Sequence, residues 1–231
     1  MKPLPIIDDG EPQVALEHGV ISLASPHPYQ ALGAPYGEVS PWALRRSVAQ
    51  KLLAAQVALG EQRPGWRLHV LDALRPVPVQ AFMVEWTDRQ LARDEPRLDA
   101  AARAARVRQF WAMPSEDPTT PPPHSTGAAV DVTLIDAEDR ELDMGSPFDE
   151  PTPRSYPDHF AAATDDAGQR AHGHRQLLFA VLRDAGFRRH PREWWHFSFG
   201  DQAWAADTHA PAARYGRAPT EVSAISMRLP R

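Results

Sequence analysis

Proline is the feature that most restricts what this chain can fold into. The sequence holds 24 prolines among 231 residues, and they are concentrated at 114–123 and 147–157. Because proline fixes φ and has no N–H, neither stretch can form a helix interior or a central strand. Recognisable strands lie between the two stretches, which indicates stiff loops and not disordered linkers. Regular structure must therefore come from elements on either side of these loops.

Helical and strand patterns are mixed along the rest of the chain. Apolar spacing predicts helices at 42–60, 79–94, 98–112 and 174–186, and shorter apolar or alternating runs predict strands at 20–24, 66–74, 127–135 and 193–199. Ser40 is predicted to cap the first helix, Pro41 to open it and Gly60 to end it. The elements do not alternate strictly, as they would in a doubly wound sheet. We predict an α+β fold with a small, mainly antiparallel sheet flanked by helices.

The length of the chain suits one sizeable domain, since 231 residues are few for two domains of average size. No internal repeat is visible. We expect one domain over 1–231, in which 1–39 is largely loop, the core runs from about 40 to 205, and 206–231 forms a C-terminal tail.

Composition excludes several classes of function. The net charge is −5 and no basic cluster stands out, so a nucleic-acid partner is not expected. Cysteine is absent, which removes disulfides, thiolate metal sites and a cysteine nucleophile. Any metal site must use histidine and carboxylate ligands. The N-terminal segment contains prolines and reaches Asp8 and Asp9 too early for a signal peptide, and no apolar run is long enough to span a membrane. We expect a cytoplasmic protein without a membrane partner.

One apolar segment, "PREWWHFSFG" at 191–200, carries two polar groups that need an explanation. Glu193 and His196 are three residues apart in a run that otherwise resembles a strand. Burying an unpaired carboxylate costs several kcal/mol, so the two groups must be compensated. Residues three apart on a straight strand point to opposite faces. If Glu193 and His196 share a site, the segment must bend.

A second segment, "PPPHSTGAAVDVTL" at 121–134, places His124 and Asp131 seven residues apart. Together with His196 they make two imidazoles and one carboxylate, the number of protein ligands that catalytic zinc sites commonly have. Glu193 would then be a spare carboxylate able to handle the proton of a water molecule. Taken singly, each pair is common and is more often a solvated or locally paired couple.

Several strings resemble one family of enzymes. "HSTGAAVD" resembles the H-x-x-G-x-A-x-D motif of zinc D,D-peptidases, and "EWWHF" resembles the E-W-W-H-[FY] motif of their D-alanyl-D-alanine dipeptidase (VanX-like) branch. "LDALRP" at 71–76 and "MGSPFD" at 144–149 resemble further strings of that branch, in the same order. The resemblance runs from about 29 to 205 and implies a hedgehog/DD-peptidase-like fold.

The resemblance also implies a role for each matched residue. It implies one Zn²⁺ per chain with a small dipeptide as the binding partner, and it implies hydrolysis of D-Ala-D-Ala by metal-activated water. His124, Asp131 and His196 match the zinc ligands, and Glu193 matches the general base. Arg75 matches the arginine that stabilises the transition state, and Asp149 matches the carboxylate that binds the free amino group of the substrate. Tyr29 matches a tyrosine near that amino group, with Tyr36 as the alternative.

One position departs from the family pattern, because Pro122 stands where relatives usually have serine. A substrate contact made by that serine would be missing here, which affects the choice of dipeptide. Two other functions stay open on the sequence: a zinc D,D-carboxypeptidase acting on larger cell-wall peptides, and a non-catalytic zinc-binding recognition domain. The biological role and the oligomeric state are also open.

Overall fold

Two sheets organise the chain, whose structure is a computed structural model that describes residues 3–219. The strands are β1 (Gln13–Ala15), β2 (Ser22–Leu23), β3 (Ala43–Arg45), β4 (Arg67–Asp72), β5 (Ala129–Ile135), β6 (Arg188–Arg189) and β7 (His196–Ser198). A five-stranded sheet has the order β2-β4-β5-β7-β6, and β1 pairs with β3 in a second sheet. The β2–β4 pair is parallel and the other four pairs are antiparallel.

Helices flank these sheets, which confirms the α+β prediction. The α-helices are α1 (Pro28–Ala31), α2 (Arg46–Gln62), α3 (Val77–Asp94), α4 (Ala100–Phe110), α5 (Asp166–Asp184) and α6 (Gln202–Asp207). Two short 3₁₀ turns cover Pro123–Thr126 and Pro153–Ser155. Within the described residues no helix is long and apolar enough to cross a membrane. The last part of the predicted tail, 220–231, lies outside the described residues.

The predicted start and end of the first long helix are wrong. Ala43–Arg45 form strand β3, which pairs with β1, and helix α2 begins only at Arg46. Ser40 accepts a hydrogen bond from the N–H of Trp42 in a turn and does not cap the helix. The helix also passes through Gly60 and ends at Gln62. Helical periodicity cannot reveal this start, because β3 depends on a distant pairing with Gln13–Ala15.

Helix α5 begins at Asp166, eight residues before the predicted position at 174. Asp165 caps it by accepting a hydrogen bond from the N–H of Gly168 at 2.9 Å. The first turns carry small and polar residues, so their apolar periodicity is weak. The last predicted strand is shorter than expected, because 193–195 is bent and the strand starts at His196.

The core fixes which face of the sheet is available for chemistry. Val130, Val132 and Leu134 of β5 are fully buried in a cluster that also contains residues of α2 and α5. Side chains alternate along a strand, so Asp131 points to the opposite face. On that side a second apolar cluster is built around α3, with Met83, Leu91 and Trp111 among its members. Polar side chains of the sheet therefore lie between the sheet and this second cluster.

Candidate active site

A row of three polar residues crosses the middle of the five-stranded sheet. Asp131 of β5 lies opposite His196 of β7 and opposite Asp72 of β4. The β4–β5 register shifts between Val70 and Asp72, and this irregularity brings Asp72 beside Asp131. All three side chains are buried. Neighbouring strands therefore present two carboxylates and one imidazole side by side.

The turn before β5 delivers His124 to the same place. Pro122 opens this turn, and its carbonyl accepts a hydrogen bond from the N–H of Ser125 at 2.9 Å. Gly127 ends it with φ +70, and a Cβ there would lie 3.3 Å from the backbone nitrogen of Arg45. Glycine is therefore required both for the left-handed backbone and for the close approach of β3.

The donor atoms of His124, Asp131 and His196 converge. His124 Nε2 lies 3.0 Å from His196 Nδ1, and Asp131 Oδ1 lies 3.3 Å and 3.1 Å from these two nitrogens. Two ligands about 2.0–2.1 Å from a tetrahedral zinc ion lie roughly 3.3 Å apart, so the spacing of this donor set fits a metal. All three donor atoms lie within 4.8 Å of one another, and within residues 3–219 no other group of three or more metal-ligating side chains meets this limit.

The protonation of these groups also suits a metal. His124 Nδ1 lies 2.7 Å from the carbonyl oxygen of Ala73, to which it donates its hydrogen, so that Nε2 keeps its lone pair. Burial lowers the pKa of His196, which favours its neutral form. Burial opposes ionisation of Asp131, but the two imidazoles outweigh it and lower the pKa of this carboxyl well below its usual value.

Glu193 reaches the site because the chain bends at Trp194 and Trp195 before β7 begins. Its Oε2 lies 3.8 Å from His196 Nδ1 and its Oε1 lies 3.6 Å from His190 Nδ1. The bend removes the opposite-face constraint of a straight strand. Burial, and then the charges of Asp131 and Asp149, raise the pKa of Glu193 well above its usual value.

The two tryptophans of the bend have different surroundings. Trp195 lines the small cavity in front of the donor set. Trp194 does not line this cavity; it is buried and donates a hydrogen bond from Nε1 to Ser146 Oγ at 3.0 Å. One tryptophan is thus a wall of the site, while the other supports the backbone on which Glu193 lies.

Arg75 is buried and held by several partners at once. Its Nε donates to Asp72 Oδ2 at 3.0 Å, Nη1 to Gln80 Oε1 at 3.1 Å, and Nη2 to Asp131 Oδ2 at 3.0 Å. The Trp111 ring lies over the guanidinium, with its centroid 5.0 Å from Cζ. Burial opposes its charge, but the surrounding acidic groups keep the pKa of Arg75 raised. The guanidinium is therefore a fixed positive charge beside the donor set.

Asp149 contacts Tyr29, whose hydroxyl also contacts Arg75. The Tyr29 hydroxyl donates to Asp149 Oδ2 at 2.7 Å and accepts from Arg75 Nη2 at 3.2 Å. The Tyr36 hydroxyl instead donates to Asp72 Oδ1 at 2.9 Å. Burial raises the pKa of Asp149 to about 7. Of the two tyrosines, the structure brings Tyr29 to the carboxylate.

His27 and Asp72 form a support that the sequence patterns did not reveal. Neither residue stands in a pattern that predicts the contact, because they are 45 positions apart. His27 Nε2 lies 3.0 Å from Asp72 Oδ1, while its Nδ1 accepts from the N–H groups of Tyr29 and Gln30 at 3.2 and 3.3 Å. Burial disfavours the charge of Asp72, but the charge of Arg75 and the bond from His27 lower its pKa.

The cavity in front of the donor set is small, with a volume of about 60 Å³. Every residue predicted for the site except Tyr29 lines it. Gln80, Trp111 and His190 also line it, although the sequence patterns do not predict them. None of the three belongs to a motif that indicates a role in the site. A ligand in this cavity would lie between the donor set, Glu193 and Asp149.

Comparisons with known proteins give the family of this chain. The model of the peptidase M15 family, described as D-ala-D-ala dipeptidase, matches residues 22–214. A D-alanyl-D-alanine dipeptidase of Synechocystis sp. is 39% identical, over 93% of this chain and 94% of that protein. One of Escherichia coli is 32% identical, over 65% of this chain and 64% of that protein. A solved structure of the vancomycin resistance D,D-pentapeptidase VanY in complex with Zn(II) gives a TM-score of 0.44 at 14% identity, covering 87% of this chain and 94% of that chain.

The family match spans most of the chain and includes every residue of the site described above. The dipeptidase of Synechocystis sp. is similar to this chain over 93% of this chain's residues. This chain therefore belongs to the D-Ala-D-Ala dipeptidase family and is a peptidase.

Proposed function

We propose that this chain is a single zinc peptidase domain that hydrolyses D-Ala-D-Ala, or similar D,D-dipeptides with a free amino terminus. The observation that carries the proposal is the convergence of His124, Asp131 and His196 with Glu193, whose carboxylate lies 3.8 Å from His196. Family membership supports dipeptide hydrolysis, and the spacing of the donors supports one zinc ion per chain.

The chain would hold zinc through His124 Nε2, His196 Nδ1 and an oxygen of Asp131. When bound in such a site, zinc lowers the pKa of a coordinated water toward about 7 and polarises a carbonyl group. Three protein ligands leave a position open, as catalytic zinc sites do and structural ones do not. Asp131 is further oriented by its bond to Arg75.

Glu193 is the general base in this proposal. Its carboxylate takes the proton from the attacking water and later gives it to the amine of the leaving D-amino acid. Its burial beside Trp195 excludes bulk water, which strengthens each electrostatic interaction in the cavity.

Arg75 stabilises the oxyanion that develops on the scissile carbonyl. Its guanidinium is fixed by Asp72, Gln80 and Asp131, so it needs no reorganisation during the reaction. One preorganised donor of this kind is worth roughly 2.7–4 kcal/mol, or about 10²–10³ in kcat.

Asp149 binds the ammonium group of the dipeptide, and Tyr29 orients this carboxylate through the 2.7 Å hydrogen bond. This contact argues against a D,D-carboxypeptidase that acts on longer cell-wall peptides, because such substrates carry an uncharged amide at that position. Family membership argues against a non-catalytic recognition domain. Pro122 offers no side-chain donor at the position of the relatives' serine, so dipeptide preference is set by other residues.

An amine-release assay tests the proposal. The substrates are D-Ala-D-Ala, L-Ala-L-Ala and N-acetyl-D-Ala-D-Ala, each with and without added zinc. We expect cleavage of the free D,D dipeptide alone, and only in the presence of zinc. Cleavage of the acetylated dipeptide at a similar rate would favour the carboxypeptidase, and no cleavage of any substrate by zinc-loaded protein would refute the proposal.

A further inference from the structure

A larger cavity adjoins the candidate active site. It has a volume of about 400 Å³ and lies against one face of α3, which puts it in the usual size range of small-molecule sites. We call it the apolar cleft and define it by Leu32, Met83, Trp86, Leu91 and Phe148, which all line it. These five residues have no role in the proposed reaction of D-Ala-D-Ala.

The cleft and the catalytic cavity share two walls, Trp111 and Asp149. The Tyr29 ring stacks on Phe148 at a centroid distance of 5.9 Å, and its hydroxyl holds Asp149. The carboxylate that would bind the substrate's ammonium group therefore stands at the boundary between the two spaces. A group attached to the carbon that carries this ammonium would lie beside the opening of the cleft.

We propose that the apolar cleft binds the side chain of the N-terminal residue of the substrate, so that the substrate class includes D,D-dipeptides with a large apolar first residue. This inference rests on the proposed function. The catalytic cavity, at about 60 Å³, leaves little space for such a side chain, whereas the cleft offers aromatic and aliphatic walls beside Asp149. Burying a benzyl group instead of a methyl group there favours binding by tenfold or more.

Binding of two amines tests the cleft without any turnover. D-Phenylalaninamide and D-alaninamide carry the same ammonium group, and calorimetry gives the affinity of the zinc-loaded protein for each. We expect D-phenylalaninamide to bind at least tenfold more tightly. Leu32 lines the cleft and is partly exposed, so Leu32→Trp should narrow the cleft without disturbing the core. This variant should reduce the ratio of the two affinities to below threefold. The matched control Val57→Trp, on the exposed face of α2, should leave the ratio unchanged.

Kinetics separate failure of the cleft from failure of the proposed function. We expect D-Phe-D-Ala to be hydrolysed with a kcat/KM at least equal to that of D-Ala-D-Ala, and Leu32→Trp to lower their ratio at least fivefold. Hydrolysis of D-Ala-D-Ala with no difference in affinity between the two amides would refute the proposed role of the cleft and would still support the proposed function. A preference for D-phenylalaninamide without hydrolysis of either dipeptide would support the role of the cleft and refute the proposed function.

A second, independent observation assigns a positioning role to His27. The His27 side chain is buried, with 3% of the residue exposed, and its ring makes T-shaped contacts with the rings of Tyr29, Tyr36 and Trp42 at centroid distances of 4.7–5.6 Å. Since Nδ1 accepts two backbone N–H groups, the ring hydrogen is on Nε2 and is donated to Asp72. One nitrogen thus fixes the helix that carries Tyr29, and the other fixes the carboxylate that orients Arg75.

Two substitutions at His27 separate these effects. Asparagine places an acceptor where Nδ1 is and is a good N-cap, but it does not reach Asp72. Glutamine places a donor near the position of Nε2 and is a poor cap. For D-Ala-D-Ala hydrolysis, which again rests on the proposed function, His27→Asn should lower kcat at least tenfold with little change in KM. His27→Gln should raise KM at least fivefold with a smaller change in kcat.

Two further measurements keep this test decisive. Tyr36→Phe removes another bond to the same Asp72 oxygen without touching the cap, and it should reproduce the kcat loss of His27→Asn. The affinity for D-alaninamide, which needs no turnover, should fall in His27→Gln and not in His27→Asn. If both His27 variants showed the same fall in kcat, the same rise in KM and the same fall in melting temperature, the role of His27 would be merely structural and the assignment would be overturned.

Discussion

Arg75 Nη2 donates to Asp131 Oδ2 at 3.0 Å, while the other oxygen of Asp131 faces the imidazoles of His124 and His196. The same carboxylate therefore joins the metal-ligating group to the guanidinium. Because Asp131 is on β5 and Arg75 follows β4, the pairing of the two strands sets the distance between the metal site and the positive charge. A displacement of the Asp131 carboxylate would therefore also displace the Arg75 guanidinium.

This relationship predicts that lysine cannot replace Arg75. A lysine ammonium lacks the planar fork that reaches Asp72, Gln80 and Asp131 together. Arg75→Lys and Arg75→Ala should lower kcat for D-Ala-D-Ala by about 10²–10³ with a smaller effect on KM. Steady-state kinetics measure this, with Arg89→Lys on the exposed face of α3 as the matched control. An unchanged kcat in Arg75→Lys would exclude the guanidinium from the transition state.

Glu193 should be essential for turnover and dispensable for metal binding. Removal of a general base costs about 10²–10⁴ in rate. We expect Glu193→Gln and Glu193→Ala to lose at least 10²-fold in kcat while both bind one equivalent of zinc, as measured by elemental analysis after dialysis. Glu85→Gln on the exposed face of α3 makes the same chemical change away from the site and serves as the matched control. Wild-type turnover in Glu193→Gln would contradict the assignment.

Strands and helices with strong apolar patterns could be predicted from the sequence, and so could the motifs that carry the site. The strand predicted at 127–135 is observed as Ala129–Ile135, and the helix predicted at 79–94 as Val77–Asp94. Both patterns are set by burial on one face, which local sequence records. The bend at Trp194 and Trp195 was inferred as a geometric requirement, because a straight strand would separate Glu193 from His196.

The contacts that support the site could not be predicted in the same way. Strand β3 depends on pairing with β1, about thirty residues earlier in the chain. His27 and Asp72 are 45 residues apart, and neither carries a local pattern that indicates their hydrogen bond. Gln80 is a polar residue near the start of a helix, and nothing in the local sequence indicates its hydrogen bond to Arg75. Long-range hydrogen bonds between single side chains leave no periodic trace in a sequence.

Zinc should stabilise the fold as well as serve the reaction. A ligand that binds only the native state adds RT ln(1 + [L]/Kd) to the free energy of unfolding, or about 4.1 kcal/mol at a thousandfold excess over Kd. Chelation should therefore lower the melting temperature, and added zinc should restore it. His124→Ala should melt at the same temperature with and without chelator. The opposite result, a metal-dependent melting temperature in His124→Ala, would place the ion elsewhere.

Asp149→Asn should improve stability and impair substrate binding at the same time. Asp149 has φ +60, a conformation that asparagine tolerates well, so the backbone should be kept. Its pKa in the fold is raised to about 7, above the value of about 3.9 for an unfolded chain. The unfolded chain therefore loses its proton first as pH rises. The Asp149 carboxyl therefore does not lower the free energy of unfolding below about pH 4, and it lowers this free energy increasingly as the pH rises to about 7.

The variant therefore separates two effects of one carboxylate. Denaturant unfolding of zinc-free protein should show Asp149→Asn more stable than wild type by at least about 1 kcal/mol at pH 8, with the difference vanishing near pH 4. In zinc-loaded protein the same change should raise KM for D-Ala-D-Ala at least tenfold, because the ammonium group loses its counter-charge. The ratio of rates for free and N-acetylated dipeptide should fall as well. A pH-independent stability difference would mean that Asp149 titrates normally, and an unchanged KM would place the ammonium group at another carboxylate.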